Sequence, residues 1–393
     1  MKRKKIVYIV SPIYPSPDER ECIGQQLVWL SENTTYEIHV IIPDNDFFPE
    51  NYIPPTFTNI VYPQQVIPTI YSKSYSGYIP IKKKGILILQ KIGIISFCKR
   101  IQYKNFIKKE LKKLQDTDLF IIPIHRDTDF LSNIRNGNKI IGELSEHPKY
   151  FTDLHKRNWL NKWKFFFLQK RLKRFDVIVV NTSKMGAAIS EYTKTPTYCI
   201  PIHLKKWPDT PNDVTKSTIV SAIGSYSENN FIPLISAWQR VSARHPEWRL
   251  HLYGKGNEKT TKAEIKNKHL SRYIYCYPLT DSLIDVYTKS SILLLPSNQK
   301  TDMYRIKEAF SYGLPVVTFG VTDVYGIIHD EKNGFVINGN NWNDFIIKTR
   351  ILINNEELRK EMSLRARETA TNYQLDKIMA DWNLLIENIS TAF

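Results

Sequence analysis

Cysteine is scarce in this sequence: Cys22, Cys98, Cys199 and Cys276 are the four in 393 residues, far apart and without CxxC spacing. That spacing argues against a zinc site and a disulfide framework, and all four are expected as buried thiols. Long hydrophobic runs are also missing. A spanning helix needs ~20 consecutive apolar residues, whereas the longest candidates, around 85–89 and 92–97, are short and flanked by lysines. The opening MKRKKIVYIVSPIYP imitates a signal peptide, but its apolar stretch is short and runs into Ser-Pro with no small-residue cleavage site. It is read as a first strand, and the chain is expected in the cytoplasm. No short repeat or low-complexity segment occurs. What remains is the composition of an ordinary folded protein, with 42% hydrophobic, 12% aromatic and 24% charged residues, which excludes disordered and collagen-like classes. At ~100 to 200 residues per domain the length predicts two domains.

Acidic residues are in deficit, and the deficit is local. Lys and Arg number 55 against 39 Asp and Glu, a net charge of +16; residues 1–200 alone hold 31 basic and 18 acidic residues. Tyr71 to Leu114 contains twelve Lys/Arg opposed only by Glu110, and Lys156 to Phe175 contains eight with no acid. The second stretch interleaves aromatics with cations: Lys156, Arg157, Trp159, Lys162, Trp163, Lys164, Phe166, Phe167, Lys170 and Lys173. Three readings are open. Such a helix can rest on anionic lipid, where each cation adds about 1 kcal/mol. It can hold nucleic acid through phosphates and stacking. Or its aromatic side packs on the domain while the lysines are solvated. Nucleic acid ranks last, because no helix-turn-helix, RRM, KH or finger pattern accompanies the charge, so no specific nucleic-acid partner is expected.

Short β-rich runs alternate with helical patterns almost throughout. Strands are expected at 6–10, 37–42, 59–62, 119–123, 139–142 and 177–181, with helices around 21–31, 86–115 and 153–174. The second half repeats the scheme, with strands at 218–223, 249–253, 273–276, 292–295 and 315–318 and helices near 230–244, 260–269, 281–288 and 303–312. Apolar strands linked by helices mean parallel sheets covered on both faces. The expectation is therefore an α/β chain of two Rossmann-like doubly wound domains: 1–200, a polar proline-bearing linker at 201–216, and 217–372. Helices are expected at 343–353 and 355–371, and a last one at 374–389 aligns Ile378, Met379, Trp382, Leu385, Ile386 and Ile389 on one face.

In doubly wound sheets ligands sit outside the carboxyl ends of the strands. After the run SSILLLPS come a loop, a helix holding Glu308 and a turn at Gly313, a place that suits a helix C-terminus needing positive φ. Glu308 in the first turns of that helix can accept hydrogen bonds from two ribose hydroxyls while the helix N-terminus faces phosphates; by spacing alone it is equally an ordinary surface glutamate.

The segment PSNQKTDMYRIKEAFSYGLPVVTFGVTDVYGIIHDEKNGFVI resembles the donor-site signature of family 4 glycosyltransferases, the retaining GT-B enzymes of bacterial surface polysaccharide synthesis. Further similar segments follow in the family's order across 217–386, among them IGSYSENNF, RLHLYGKG, DVYTKSSILLLPS and EELRKEMSLRARETA. In the first half the likeness is limited to KKIVYIV, DLFIIPIH, NKIIGELSEHP and FDVIVVNTS.

The resemblance implies two Rossmann domains facing across a cleft, with residues 373–393 returning to the first. The donor is a nucleotide-sugar bound mainly by the second domain, the acceptor is a glycan or lipid-linked glycan, and no metal or other cofactor is implied. Carried over by position, Glu308 holds the ribose; Gly224 opens the loop facing the diphosphate; Gly254 and Gly256 follow a domain-two strand; and Tyr277, Pro278 and Leu279 line the base pocket. His147 or His125 reaches toward the transferred sugar. The chain also departs from the family. The glutamate eight residues before Glu308 is replaced by Lys300, the diphosphate's arginine and lysine fall on Ser225 and Asn230, and the glycine pair after the first strand is replaced by SPIYPSPDERE. Lys300, Lys255 and Arg305 are the cations left to hold a departing diphosphate. The expected function is a retaining, metal-independent hexosyltransferase, peripheral to the inner membrane face. The alternative is a degenerate sugar-nucleotide-binding or partner subunit; an epimerase fits the order of the segments less well.

Overall fold

The computed structural model describes residues 4–10, 17–41, 60–61, 105, 107–114, 116–124, 138–144, 166, 169–226, 231–280, 282–296, 302–320 and 324–391. It divides into two compact units, one of Met1–Lys205 with Ile378–Phe393 and the other of Lys206–Lys377.

The first unit holds β1 (Lys5–Ile9), α1 (Pro17–Asn33), β2 (Glu37–Ile41), β3 (Ile60–Val61), β4 (Leu119–Pro123), β5 (Lys139–Leu144), β6 (Val177–Val180), α2 (Ser183–Ser190) and β7 (Thr197–Cys199). The strands form one parallel sheet in the order β3-β2-β1-β4-β5-β6-β7. Runs such as LFIIP and VIVV are apolar at consecutive positions because both faces are covered. On one face Val7, Ile9, Phe120, Ile122, Ile140, Leu144, Ile178 and Val180 pack against Ile107, Leu111, Leu172 and Phe175. A glycine interrupts β5 for a steric reason: a Cβ on Gly142 would lie 2.7 Å from both Ile124 and Phe175.

Two elements escape the sequence patterns. Helix α2 is only eight residues of mostly small side chains, started by Thr182, whose hydroxyl accepts from Met185 N at 3.2 Å. Strand β7 is a short edge strand with the polar run TYC. Its edge position also corrects an expectation, since Cys199 is exposed there, while Cys22 is buried and Cys276 intermediate. Cys98 lies outside the described residues. Beyond β7 the chain returns onto α1. His203 is fully buried with its ring nitrogens 3.0 Å from Cys22 O and 2.9 Å from Leu204 O, and Gln25 donates to Lys205 O at 3.0 Å. The six-residue apolar stripe read at 378–389 is buried in full, and Tyr36 donates to Asn383 at 2.7 Å.

The second unit holds β8 (Ile219–Ser225), α3 (Phe231–Arg244), β9 (Arg249–Lys255), α4 (Lys259–Asn267), β10 (Ile274–Pro278), α5 (Ile284–Lys289), β11 (Ile292–Leu295), α6 (Asp302–Ser311), β12 (Val316–Phe319), β13 (Gly334–Ile337), α7 (Trp342–Asn354) and α8 (Glu356–Ala370). The last helix, α9 (Leu375–Thr391), begins here and ends in the first unit. The sheet is parallel in the order β10-β9-β8-β11-β12-β13. The order reverses between β8 and β11, which makes the crevice at their carboxyl ends the switch point where such sheets take ligands. One face packs Val220, Ala222, Leu250, Leu252, Ile292 and Leu294 against Phe231, Trp238, Ile265 and Phe345.

The stretch read as a linker is docked along part of its length. Asn212 N donates to Tyr312 O at 2.8 Å, and Asn212 Nδ2 donates to Tyr287 O at 3.0 Å. Arg367 of α8 stacks on Trp207 at 4.8 Å and donates to Pro208 O at 2.9 Å and to Ser311 O at 2.5 Å. Polarity alone hid this, because the segment is held by hydrogen bonds of Asn212 and by the guanidiniums of Arg367 and Arg359 rather than by an apolar stripe. Helix α6 ends in a left-handed turn at Gly313, where φ is +73° and a Cβ would lie 2.8 Å from Ser363 Oγ. Gly313→Ala is expected to lose about 1 to 2 kcal/mol and lower Tm by about 3 to 6 °C in scanning calorimetry; an unchanged Tm would show that the turn relaxes freely.

Candidate functional site

Three strands of the second sheet finish side by side and bring most of the sequence-read residues into adjacent rows. Gly224 and Ser225 end β8, Gly254 and Lys255 end β9, and Tyr277 and Pro278 end β10. The register pairs Gly224 with Gly254, Ser225 with Lys255, and Pro278 with Gly254. Pairing runs one residue further, since Leu279 N donates to Gly254 O at 3.0 Å. Lys255 is exposed at this edge, and Ser225 Oγ donates to its carbonyl at 3.4 Å.

The glycines in these rows answer to packing as much as to any ligand. A Cβ on Gly254 would meet the Tyr226 ring at 2.8 Å and Phe231 at 3.0 Å. Gly256 has φ +103° with nothing within 4 Å, which is a turn requirement. Tyr226 was missed by sequence reasoning although it stands inside IGSYS. Its hydroxyl lies 2.9 Å from Leu252 O and 2.7 Å from Tyr277 O, so its one proton is shared between the carbonyls of two neighbouring strands. Burial raises its pKa far above the ordinary phenol range, so it remains a donor. Tyr226 thereby fixes the level at which β9 and β10 end.

The alternate positions of β9 and β10 carry a set of rings. Tyr253 and Tyr277 stack at 5.0 Å and 18°, and His251 sits 5.2 Å from Tyr277 and 5.4 Å from Tyr275. Burial lowers the His251 pKa and lifts that of Tyr253 to about 12.

Glu308 lies on α6, on the far side of the switch point from these rows. It is the seventh of the helix's ten residues, so it belongs to the later turns and not the first ones expected. Its helix is tightly seated. Ile306, Ala309 and Phe310 are fully buried, and the Lys307 ammonium stands 4.3 Å over the Tyr373 ring. Glu308 itself is half-buried, and its Oε2 accepts a hydrogen bond from Tyr287 of α5 at 3.1 Å. A partner of that kind is not what an ordinary surface glutamate has. Tyr287 is 1% exposed. Its pKa is raised well above the usual value by burial and then by the Glu308 charge, with Arg305 opposing. Arg305, one turn before Glu308 on the same helix and partly buried, is thus in electrostatic reach of the pair. The cluster offers a carboxylate able to accept hydroxyls and a guanidinium beside it. Tyr287 stands within DVYTKSSILLLPS without a role in the sequence reading, since beside Val286 it looks like one more apolar position of a short helix.

His125, His147, Asn230 and Lys300 lie outside the described residues, as do Lys156, Arg157, Trp159, Lys162, Trp163 and Lys164. Lys170 and Lys173 are exposed, and so is Phe166, at 57%. Among the described residues no three His, Cys, Asp or Glu side chains gather as a metal site, and no helix is long and apolar enough to cross a membrane.

Two parallel Rossmann-like sheets, the second in the order read above, define the GT-B fold. The whole chain superposes on the apo form of the lipopolysaccharide outer core galactosyltransferase WaaB with a TM-score of 0.69 at 14% identity, covering 98% of this chain and 99% of that one. Residues 205–369 match the family described as glycosyl transferases group 1. An uncharacterized glycosyltransferase of Haemophilus influenzae is 30% identical over 167 residues, 42% of this chain and 47% of its own length. The amylovoran biosynthesis glycosyltransferase AmsD of Erwinia amylovora is 28% identical over 171 residues, 43% of this chain and 48% of its own. The chain thus spans about half the length of these curated relatives.

Removing the Tyr226 hydroxyl takes away the one proton shared by the Leu252 and Tyr277 carbonyls. Tyr226→Phe is expected to lower unfolding free energy by about 1 to 3 kcal/mol in urea titration; a midpoint equal to wild type would remove Tyr226 from its place as the strand-end fastener.

Proposed function

We propose that the chain is a retaining glycosyltransferase that moves a sugar from a nucleotide-sugar donor to a glycan or lipid-linked acceptor in surface polysaccharide synthesis. The observation that carries the reading is Glu308, held half-buried by a buried phenol on a helix beside the sheet's switch point, inside the segment that matches the glycosyltransferase family. Its carboxylate receives the two ribose hydroxyls. The base lies against Tyr277, Pro278 and Leu279, and the diphosphate lies toward Gly224 and Ser225. The acceptor hydroxyl attacks on the face the leaving group departs from, a donor phosphate oxygen takes its proton, and His147 or His125 orients the transferred sugar. Charge that develops on the leaving diphosphate is met by cations. Arg305, Lys255 and Lys300 take that part, since Ser225 and Asn230 stand where the resembled family carries its arginine and lysine. The reaction proceeds without metal.

Those same replacements favour a second reading, a GT-B subunit that binds the sugar-nucleotide but turns it over poorly. Transfer and hydrolysis assays with UDP- and GDP-sugars separate the two. Glu308→Gln is expected to cost about 10- to 100-fold in kcat/KM, the loss of one charge-assisted hydrogen-bond set. Turnover that ignores this substitution would sink the ribose assignment, and nucleotide binding without any turnover would favour the subunit.

The basic first unit is proposed to sit peripherally on the anionic inner face of the membrane. Phe166, Lys170 and Lys173 are spaced for one helical face and all three are exposed, which supports this reading. Vesicles containing anionic lipid should retain the protein, and reversing charge at Lys162, Lys164, Lys170 and Lys173 should release it; equal retention on neutral vesicles would count against the idea.

A further inference from the structure

We infer that Tyr287 is a positioning residue for nucleotide recognition, its hydroxyl holding the Glu308 carboxylate in the orientation that takes both ribose hydroxyls. The inference rests on the ribose reading of Glu308 given above.

The geometry is that of a fixed donor behind a functional acid. Tyr287 is buried, and its hydroxyl donates to Glu308 Oε2 at 3.1 Å. Its backbone and ring are both held. Tyr287 N donates to Leu283 O at 3.0 Å, Tyr287 O accepts from Asn212 at 3.0 Å, and the Tyr312 ring lies 5.5 Å away. Tyr312 immediately precedes the left-handed turn at Gly313, and its own carbonyl accepts from Asn212 N at 2.8 Å. Asn212 therefore ties α5 to the end of α6, and the phenol spans the two helices. Burial and the neighbouring carboxylate keep the phenol protonated, so it acts as a donor at all working pH values. A carboxylate pinned through one oxygen loses its rotation, and a ligand that needs two hydrogen bonds no longer has to freeze it. A phenol that only filled space would show no preference for what the ligand's ribose carries.

The test is calorimetric, on the full chain, with UDP, GDP, ADP and CDP. Whichever binds wild type most tightly is carried forward together with its 2′,3′-dideoxy analogue. Tyr287→Phe is expected to weaken the ribonucleotide about tenfold and the dideoxy analogue less than twofold, as will Glu308→Gln, and the double variant will be no weaker than Glu308→Gln alone. As a second measurement, 3-fluorotyrosine at 287 should give a fluorine signal that moves on adding the ribonucleotide and stays put in Glu308→Gln, which keeps the inference testable should Tyr287→Phe fold poorly. If Glu308→Gln discriminates the two ligands and Tyr287→Phe does not, or if Tyr287→Phe weakens both ligands equally, the positioning role is overturned while the ribose reading stands. If Glu308→Gln fails to discriminate, or none of the four nucleotides binds wild type, the ribose reading falls and takes the inference with it.

Discussion

A carboxylate that is only half-buried must be kept out of the core and still be held in place. Around Glu308 this falls to buried neighbours, among them Tyr287, Ile306, Ala309 and Phe310. The helix that carries it turns Ile306 and Phe310 inward, sets Lys307 over an aromatic ring, and closes on a glycine that accepts a left-handed backbone. Arg367 then donates to the carbonyl of the helix's last residue while its guanidinium lies over Trp207. Free carbonyls at a helix end call for partners of this kind. The helix at residue 308 is thus seated by its other face and its C-terminal end, while Tyr287 bonds the carboxylate itself.

The same logic runs along the strand ends. Parallel strands buried on both faces tolerate little variation in level, because each residue's hydrogen bonds are shared with its neighbour. Tyr226 adds a side-chain fastener across β9 and β10, which is possible only because Gly254 leaves room for its ring. A glycine at a strand end in this fold invites a ligand-based explanation, yet here a phenol occupies the space. What this edge presents beyond its backbone is the exposed Lys255 and the half-buried Ser225.

The two units differ in how openly their sequences speak. In the second, apolar runs and their connections pointed to five of six strands within a few residues, and the chain's likeness to glycosyltransferases extends across the same region. Strand β13 is not among the strands expected from the sequence, because four residues beginning with glycine carry little periodicity. In the first unit β7 and α2 are short and built from small or polar residues, so neither alternation nor a helical stripe announced them. Cysteine scarcity led to an expectation of burial that Cys199 breaks, for the plain reason that it sits on an edge strand.

Order, type and apolar pattern of the strands are properties of the one-dimensional string, since they follow from which residues can bury both faces of a sheet. So are the terminal helix's stripe, the local concentration of positive charge, and the presence of a glutamate at 308. What the string could not convey is which distant side chains meet. That Tyr287 reaches Glu308, that Tyr226 bridges two strand ends, and that a polar proline-bearing segment is docked by Asn212 and Arg367 are matters of three-dimensional proximity. Hydrogen bonds between residues 21 to 159 positions apart leave no period in a sequence, and only the packed sheet brings their donors and acceptors within reach.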